Sequence, residues 1–215
     1  MATRAYLEVG STKVFACAID WPGWCRSGKT EEAALDALAE YAERYAPVAA
    51  GAKVRFPKSA GARVEVVETI KGSATTDFGA PAMACSADLE PLTKAQAERM
   101  AGFVASAWQV LDKVVRTTPA TLRKGPRGGG RDRDKMIDHV IGAEVVYARK
   151  IGLKLKQPAF DDTKGWRAQR TAILDELRAA RSAAPDLPKG WAYRYAARRI
   201  AWHALDHAWE MQDRS

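Results

Sequence analysis

The stretch WAYRYAARRIAWHALDHAWEMQD, residues 191–213, reads as one uninterrupted helix and carries two of the chain's three histidines. No proline or glycine falls inside it, and Pro185 and Pro188 stand just before it, which predicts a helix over about 189–213. Trp191, Tyr195, Trp202 and Trp209 recur near helical spacing, a pattern that fits core packing better than stacking on nucleic-acid bases. Toward the N-terminus the helical period continues over about 165–183, 131–153 and 93–116. The breaks between these segments fall at Pro158 and at Pro119 with the glycine-rich stretch 125–130. Four helices of this length predict an all-α four-helix bundle over residues 93–215.

The remainder has a different period. Tyr6-Leu7-Glu8-Val9 and Val14 to Ile19 are short apolar or alternating runs joined by Gly10-Ser11-Thr12-Lys13, the signature of a hairpin. Thr30 ahead of Glu31 and Glu32 is an N-cap followed by acidic residues that suit the positive end of a helix, predicted to run to about Tyr45. Residues 63–70 alternate again, with Val64, Val66 and Ile70 on one side. Residues 1–70 are therefore expected to form a small α+β domain, an antiparallel sheet with one helix. Residues 71–92 show neither period and read as a linker or crossover.

Composition narrows the class. With 215 residues, 47% hydrophobic and 28% charged, the chain can bury one good core or two small ones, which excludes a wholly disordered protein. No apolar run approaches a membrane span and the start has no signal-peptide pattern, so a cytoplasmic protein without membrane association is expected. Three cysteines without a C-x-x-C spacing argue against both a disulfide framework and a cysteine-rich zinc site. Residues 1–92 carry 10 Lys/Arg against 12 Asp/Glu, whereas residues 93–215 carry 24 against 14. The basic second half permits nucleic acid, an anionic membrane surface or an acidic small molecule as partner, and charge alone does not choose among them.

The histidines carry the most specific signal. His203 and His207 stand at i and i+4, so their rings leave one helix face about 6 Å apart and can share a metal ion. His139, on the margin of the apolar arc of the 131–153 helix, is the other histidine that could complete a three-nitrogen site. On spacing alone a chance pair on a helix rim, with His139 a lone interfacial residue, is the commoner explanation, because short histidine pairs are common.

The run Asp138-His139-Val140-Ile141-Gly142-Ala143-Glu144, followed by Trp202-His203-Ala204-Leu205-Asp206-His207, resembles the DinB-like superfamily of metal-binding four-helix proteins over about residues 93–215. That resemblance implies a divalent metal, zinc or nickel most often, held by His139, His203 and His207. It also implies that the chain belongs among proteins of which some are thiol-dependent transferases or isomerases using a low-molecular-weight thiol. The succession strand, strand, Trp21-Pro22-Gly23-Trp24, Thr30-Glu31-Glu32-Ala33, helix, strand looks like the HicB-like antitoxin fold over roughly residues 3–70. The HicB-like resemblance implies a toxin-binding or assembly module. The bundle stands where that family has a DNA-binding element, so a substrate-shaping or dimerising role is expected, with an exposed sheet edge as the surface for a homodimer.

Other residues are candidates for chemistry. Glu144 falls inside the apolar arc, a costly place for a carboxylate unless it is paired. It reads either as an acceptor for an imidazole N–H or general base, or as a buried partner of Arg198 or Arg199. Arg199, one turn before His203, could bind a substrate carboxylate or form a salt bridge to a neighbouring helix. The loop 122–135 carries six positive and two negative charges and leads into the His139 helix. Its Arg127 and Arg131 are candidates for binding an anionic substrate, and the other reading is a solvated connection. The leading expectation is a metal-dependent thiol transferase or hydrolase in which the metal lowers the pKa of a thiol or of water, acting on an anionic or electrophilic small molecule. The alternative is a non-enzymatic regulatory or binding module, associated with a toxin or nucleic acid, with a structural metal or none.

Overall fold

The structure is a computed structural model that describes residues 2–125 and 130–215. It is mixed α+β, with a four-stranded sheet in the N-terminal part and seven α-helices among the described residues. Strands β1 (Thr3–Val9) and β2 (Val14–Ala18) form the expected antiparallel hairpin, closed by the Gly10 amide donating to the Lys13 carbonyl at 2.9 Å. A short third strand, β3 (Cys25–Gly28), pairs antiparallel with β2. Its sequence Cys-Arg-Ser-Gly lacks an alternating apolar pattern, so periodicity does not reveal it. Strand β4 (Val64–Lys71) pairs parallel with β1, giving the order β3-β2-β1-β4. The sheet is therefore not purely antiparallel as expected, because the chain returns to β1's far side through a helical crossover. The register shifts between Ala5 and Tyr6, so Val66 faces Ala5 and Glu68 faces Tyr6. The extra residue on β4 leaves both Val66 and Val67 partly exposed on this edge strand.

The crossover is two helices, α1 (Glu31–Glu40) and α2 (Ala42–Gly51), where one was expected. Thr30 caps α1 by accepting from the Ala33 amide at 3.1 Å. The helix breaks at Tyr41, although neither glycine nor proline stands there. The break accompanies tertiary contacts: the Tyr41 ring lies 5.0 Å from Trp209, and fully buried Tyr45 donates its hydroxyl to the Pro22 carbonyl. Alternation along β1 and β2 sends Ala5, Leu7, Val14, Ala16 and Ala18 into the main core, which also contains Ala34 and Leu38 of α1. Tyr6, Phe15 and Cys17 line the opposite face, with Cys25, Cys85 and Trp202.

Residues 72–93 contain more structure than their period suggests. Helix α3 (Ala74–Phe78) is capped by Ser73, and a 3-10 turn spans Ser86–Leu89. Buried polar side chains hold this segment down. The Glu8 carboxylate, fully buried, accepts from the amides of Ala82 and Met83 and from the Thr76 hydroxyl, and buried Asp88 pairs with Arg198. Such contacts depend on partners distant in sequence, which a windowed reading does not see.

Four long helices follow, within about one turn of the expected ends: α4 (Lys94–Thr117), α5 (Arg133–Lys150), α6 (Thr163–Ala179) and α7 (Tyr193–Arg214). A reciprocal Thr93–Gln96 capping box starts α4. Helix α4 packs against α6, α7 and α2, and α5 packs against α7 and α6. The two parts of the chain share one core: Trp24, Leu38 and Tyr45 lie in the same apolar cluster as Phe103 of α4 and Leu205 of α7, and Ser106 of α4 donates to the Val48 carbonyl of α2 at 2.7 Å. Gly23, at φ +94°, seats the β2–β3 turn on α7, where a Cβ would lie 2.7 Å from Leu205 Cδ1. Among the described residues, no helix is long and apolar enough to cross a membrane.

Candidate metal centre

Helix α7 is buried on several sides, against α4, α5 and the sheet. Its Trp202 packs edge-on against Phe15 of the sheet at 6.0 Å, and Arg26 of β3 forms a 2.9 Å salt bridge with Asp206. These contacts fix the helix's rotation, and His203 and His207, on an adjoining stripe, meet α5. His139 projects from α5 into the same gap.

The three rings form a compact triangle. Their centroids lie 5.0 Å (His139–His203), 5.2 Å (His139–His207) and 4.7 Å (His203–His207) apart. One nitrogen from each ring lies within 4.8 Å of the others, and the Nε2 atoms of His139 and His203 are 3.2 Å apart. Nitrogens bound to one tetrahedral ion at 2.0–2.1 Å would be separated by about 3.3 Å, so the His139–His203 pair is already near that spacing, and the His207 nitrogen, within 4.8 Å of both, would close by up to about 1.5 Å. His203 and His207 are buried, while His139 is half-buried and gives the cluster its opening to solvent.

The electrostatics favour neutral rings at His139 and His203, the form that ligates metal. Burial pushes His139 down from its ordinary value to about 4, helped by the positive charge of Arg131 and by the closeness of His207, since two rings so near cannot both be charged without repulsion. His203 is held well below the ordinary histidine range, first by burial, then by repulsion from the neighbouring His207 and His139 rings should they protonate, and by the charges of Arg199 and Arg131. The Nδ1 of His207 lies 3.0 Å from Glu210 Oε2, and the other Glu210 oxygen accepts from Arg214 Nη1 at 2.6 Å. The His207 hydrogen bond, then that of Arg214, keeps the Glu210 carboxyl below its usual range.

The other candidates lie in various places. Glu144 is buried, but its hydrogen bonds go to α6: it accepts from Gln169 Nε2 at 2.9 Å and pairs with Arg170 at 3.3 Å. Arg170 also bridges to Asp112 of α4 at 2.9 Å. The partner of Glu144 is therefore neither a histidine nor Arg198 or Arg199. Five residues of α-helix turn Glu144 about 140° from His139, which sends the two side chains toward different neighbours. Burial raises the Glu144 carboxyl pKa even against Arg170.

Arg199 does lie near the triad. It is 9% exposed, donates to the Pro81 carbonyl at 3.0 Å, and stacks over Trp202 at 4.7 Å and Tyr147 at 5.5 Å. Its Nε has no partner among the described residues. Tyr147 in turn sets its ring edge-on to His203 at 5.6 Å. Arg131 is exposed just before α5, and Arg127 lies outside the described residues. The sequence reading missed Glu210 and Arg214, although His207-x-x-Glu210-x-x-x-Arg214 places them at i+3 and i+7 from a ligand candidate, a legible helical stripe.

No family model matches the chain, and comparisons with curated proteins and with solved structures return no significant match.

Proposed function

We propose that this chain binds one divalent ion, zinc or nickel, through His139, His203 and His207, and uses it to act on an anionic or electrophilic small molecule as a thiol transferase or hydrolase. In this reading the C-terminal part is a DinB-like four-helix bundle and the N-terminal part a HicB-like unit that braces it. The observation that carries the reading is the convergence of all three histidines of the chain, from two helices, with one nitrogen of each within 4.8 Å of the others. The donor set fits the ion, because three neutral nitrogens leave a coordination position free for a reactant. A divalent ion there would supply Lewis acidity that lowers the pKa of a thiol or of water.

The surrounding side chains have separate tasks in this proposal. Arg199, buried beside His203, places a permanent positive charge where a carboxylate or other anion would approach. Tyr147 walls the same side and limits water. Arg131, exposed at the start of α5, extends the positive field toward solvent and draws anions to the opening at His139.

The test is metal content by mass spectrometry on tag-free protein, with His203→Ala alongside. One zinc or nickel ion per chain, lost in the variant, is the expected result. It would be followed by metal-dependent turnover of a thiol conjugate that weakens in Arg199→Ala. No stoichiometric ion after reconstitution with zinc or nickel overturns the proposal. Steeply salt-dependent nucleic-acid binding in its place would favour the regulatory module.

A further inference from the structure

We infer that Glu210 is a positioning residue for the three-histidine cluster: anchored by Arg214, its carboxylate takes the Nδ1–H of His207 and leaves Nε2 as the ring's one free lone pair. The inference rests on the metal reading above and specifies how its third ligand is oriented.

The chemistry of the contact dictates the tautomer. An ionised carboxylate can only accept, so the 3.0 Å contact between His207 Nδ1 and Glu210 Oε2 requires the proton to sit on Nδ1. A neutral ring protonated at Nδ1 ligates through Nε2, the arrangement in which a carboxylate fixes both the face and the basicity of a metal-binding imidazole. The carboxylate is itself held. Its second oxygen accepts from Arg214 Nη1, and Arg214 Nε donates to the Arg123 carbonyl at 2.8 Å while the Arg123 amide donates to the Arg214 carbonyl at 2.9 Å. The chain of contacts thus runs from the α4–α5 connection through Arg214 and Glu210 to the ring.

Glu210 has little structural work to do otherwise. Both its partners among the described residues lie on its own helix, His207 three residues before it and Arg214 four after it, so among those residues it bridges no two elements directly. Pairs of this kind add only a few tenths of a kcal/mol to a helix. Orientation of His207 is what its removal would disturb.

The test uses the full chain, zinc as the probe for affinity by competition with a chromophoric chelator, and 15N NMR of the histidine rings in the metal-free protein. Wild type is expected to show His207 protonated at Nδ1 before any metal is added. Glu210→Ala is expected to mix the tautomers and to weaken zinc binding 10- to 100-fold, the usual effect of removing such a partner, while its metal-free melting temperature changes little. Glu210→Gln, whose amide oxygen can still accept from Nδ1–H, should recover most of the affinity. A His207 protonated at Nε2 in the wild type overturns the inference without recourse to any variant. So does a Glu210→Ala chain that binds zinc like wild type. A wild type that takes up no zinc overturns the metal reading as well, so the two failures are distinguishable.

Discussion

His139 and His203 make the stability of the metal-free chain depend on pH. Both are held below the ordinary histidine value in the folded state, His139 at about 4. Between about pH 6.5 and that value the unfolded chain binds protons that the folded chain refuses, so stability rises with pH across this window. The metal-free melting temperature is therefore expected to be level above about pH 6.5 and to fall as pH drops toward 4. A scan of melting temperature against pH checks it, and replacing His203 with a non-titrating residue should flatten the decline. At this scale the sequence was most informative for the histidines, because i, i+4 spacing within a helix already fixes which rings share a face. It was least informative for Glu144, whose partners Gln169 and Arg170 lie on another helix. A carboxylate in an apolar arc signals that a partner exists but not which one.

Among the elements, Arg170 is the clasp of α4, α5 and α6, shared between Asp112 and buried Glu144. Removing one member of a buried pair leaves the other charge without compensation, so Arg170→Met is expected to cost about 3 to 5 kcal/mol in urea unfolding. Metal uptake should survive, since neither Glu144 nor Arg170 hydrogen-bonds a histidine. The four long helices were legible from periodicity and proline punctuation, whereas the break at Tyr41 and the strand Cys25–Gly28 were not. Local signals describe an element's own faces; the break accompanies what Tyr41 and Tyr45 meet on packing, and β3 exists because β2 offers it an edge.

Across the whole molecule, sheet and helices are joined at α7, and Gly23 is a close point of that joint. Its positive φ and the 2.7 Å approach of Leu205 to any added Cβ combine backbone strain with overpacking. Gly23→Ala is expected to destabilise by about 2 kcal/mol or more, measured by thermal or urea unfolding. Because α7 carries two of the three histidines, the same variant should also weaken zinc binding, read by chelator competition. The sequence by itself determined that strands would precede helices, where the long helices lie, and that His203 and His207 share a face, because hydrophobic period and helix geometry are local properties. Tertiary structure alone decided the parallel pairing of β4 with β1, the docking of the 72–93 segment through Glu8 and Arg198, and the meeting of His139 with its two counterparts. Each of these joins residues far apart in the chain, and their free energy comes from desolvation and pairing across elements, for which no single window of sequence holds both partners.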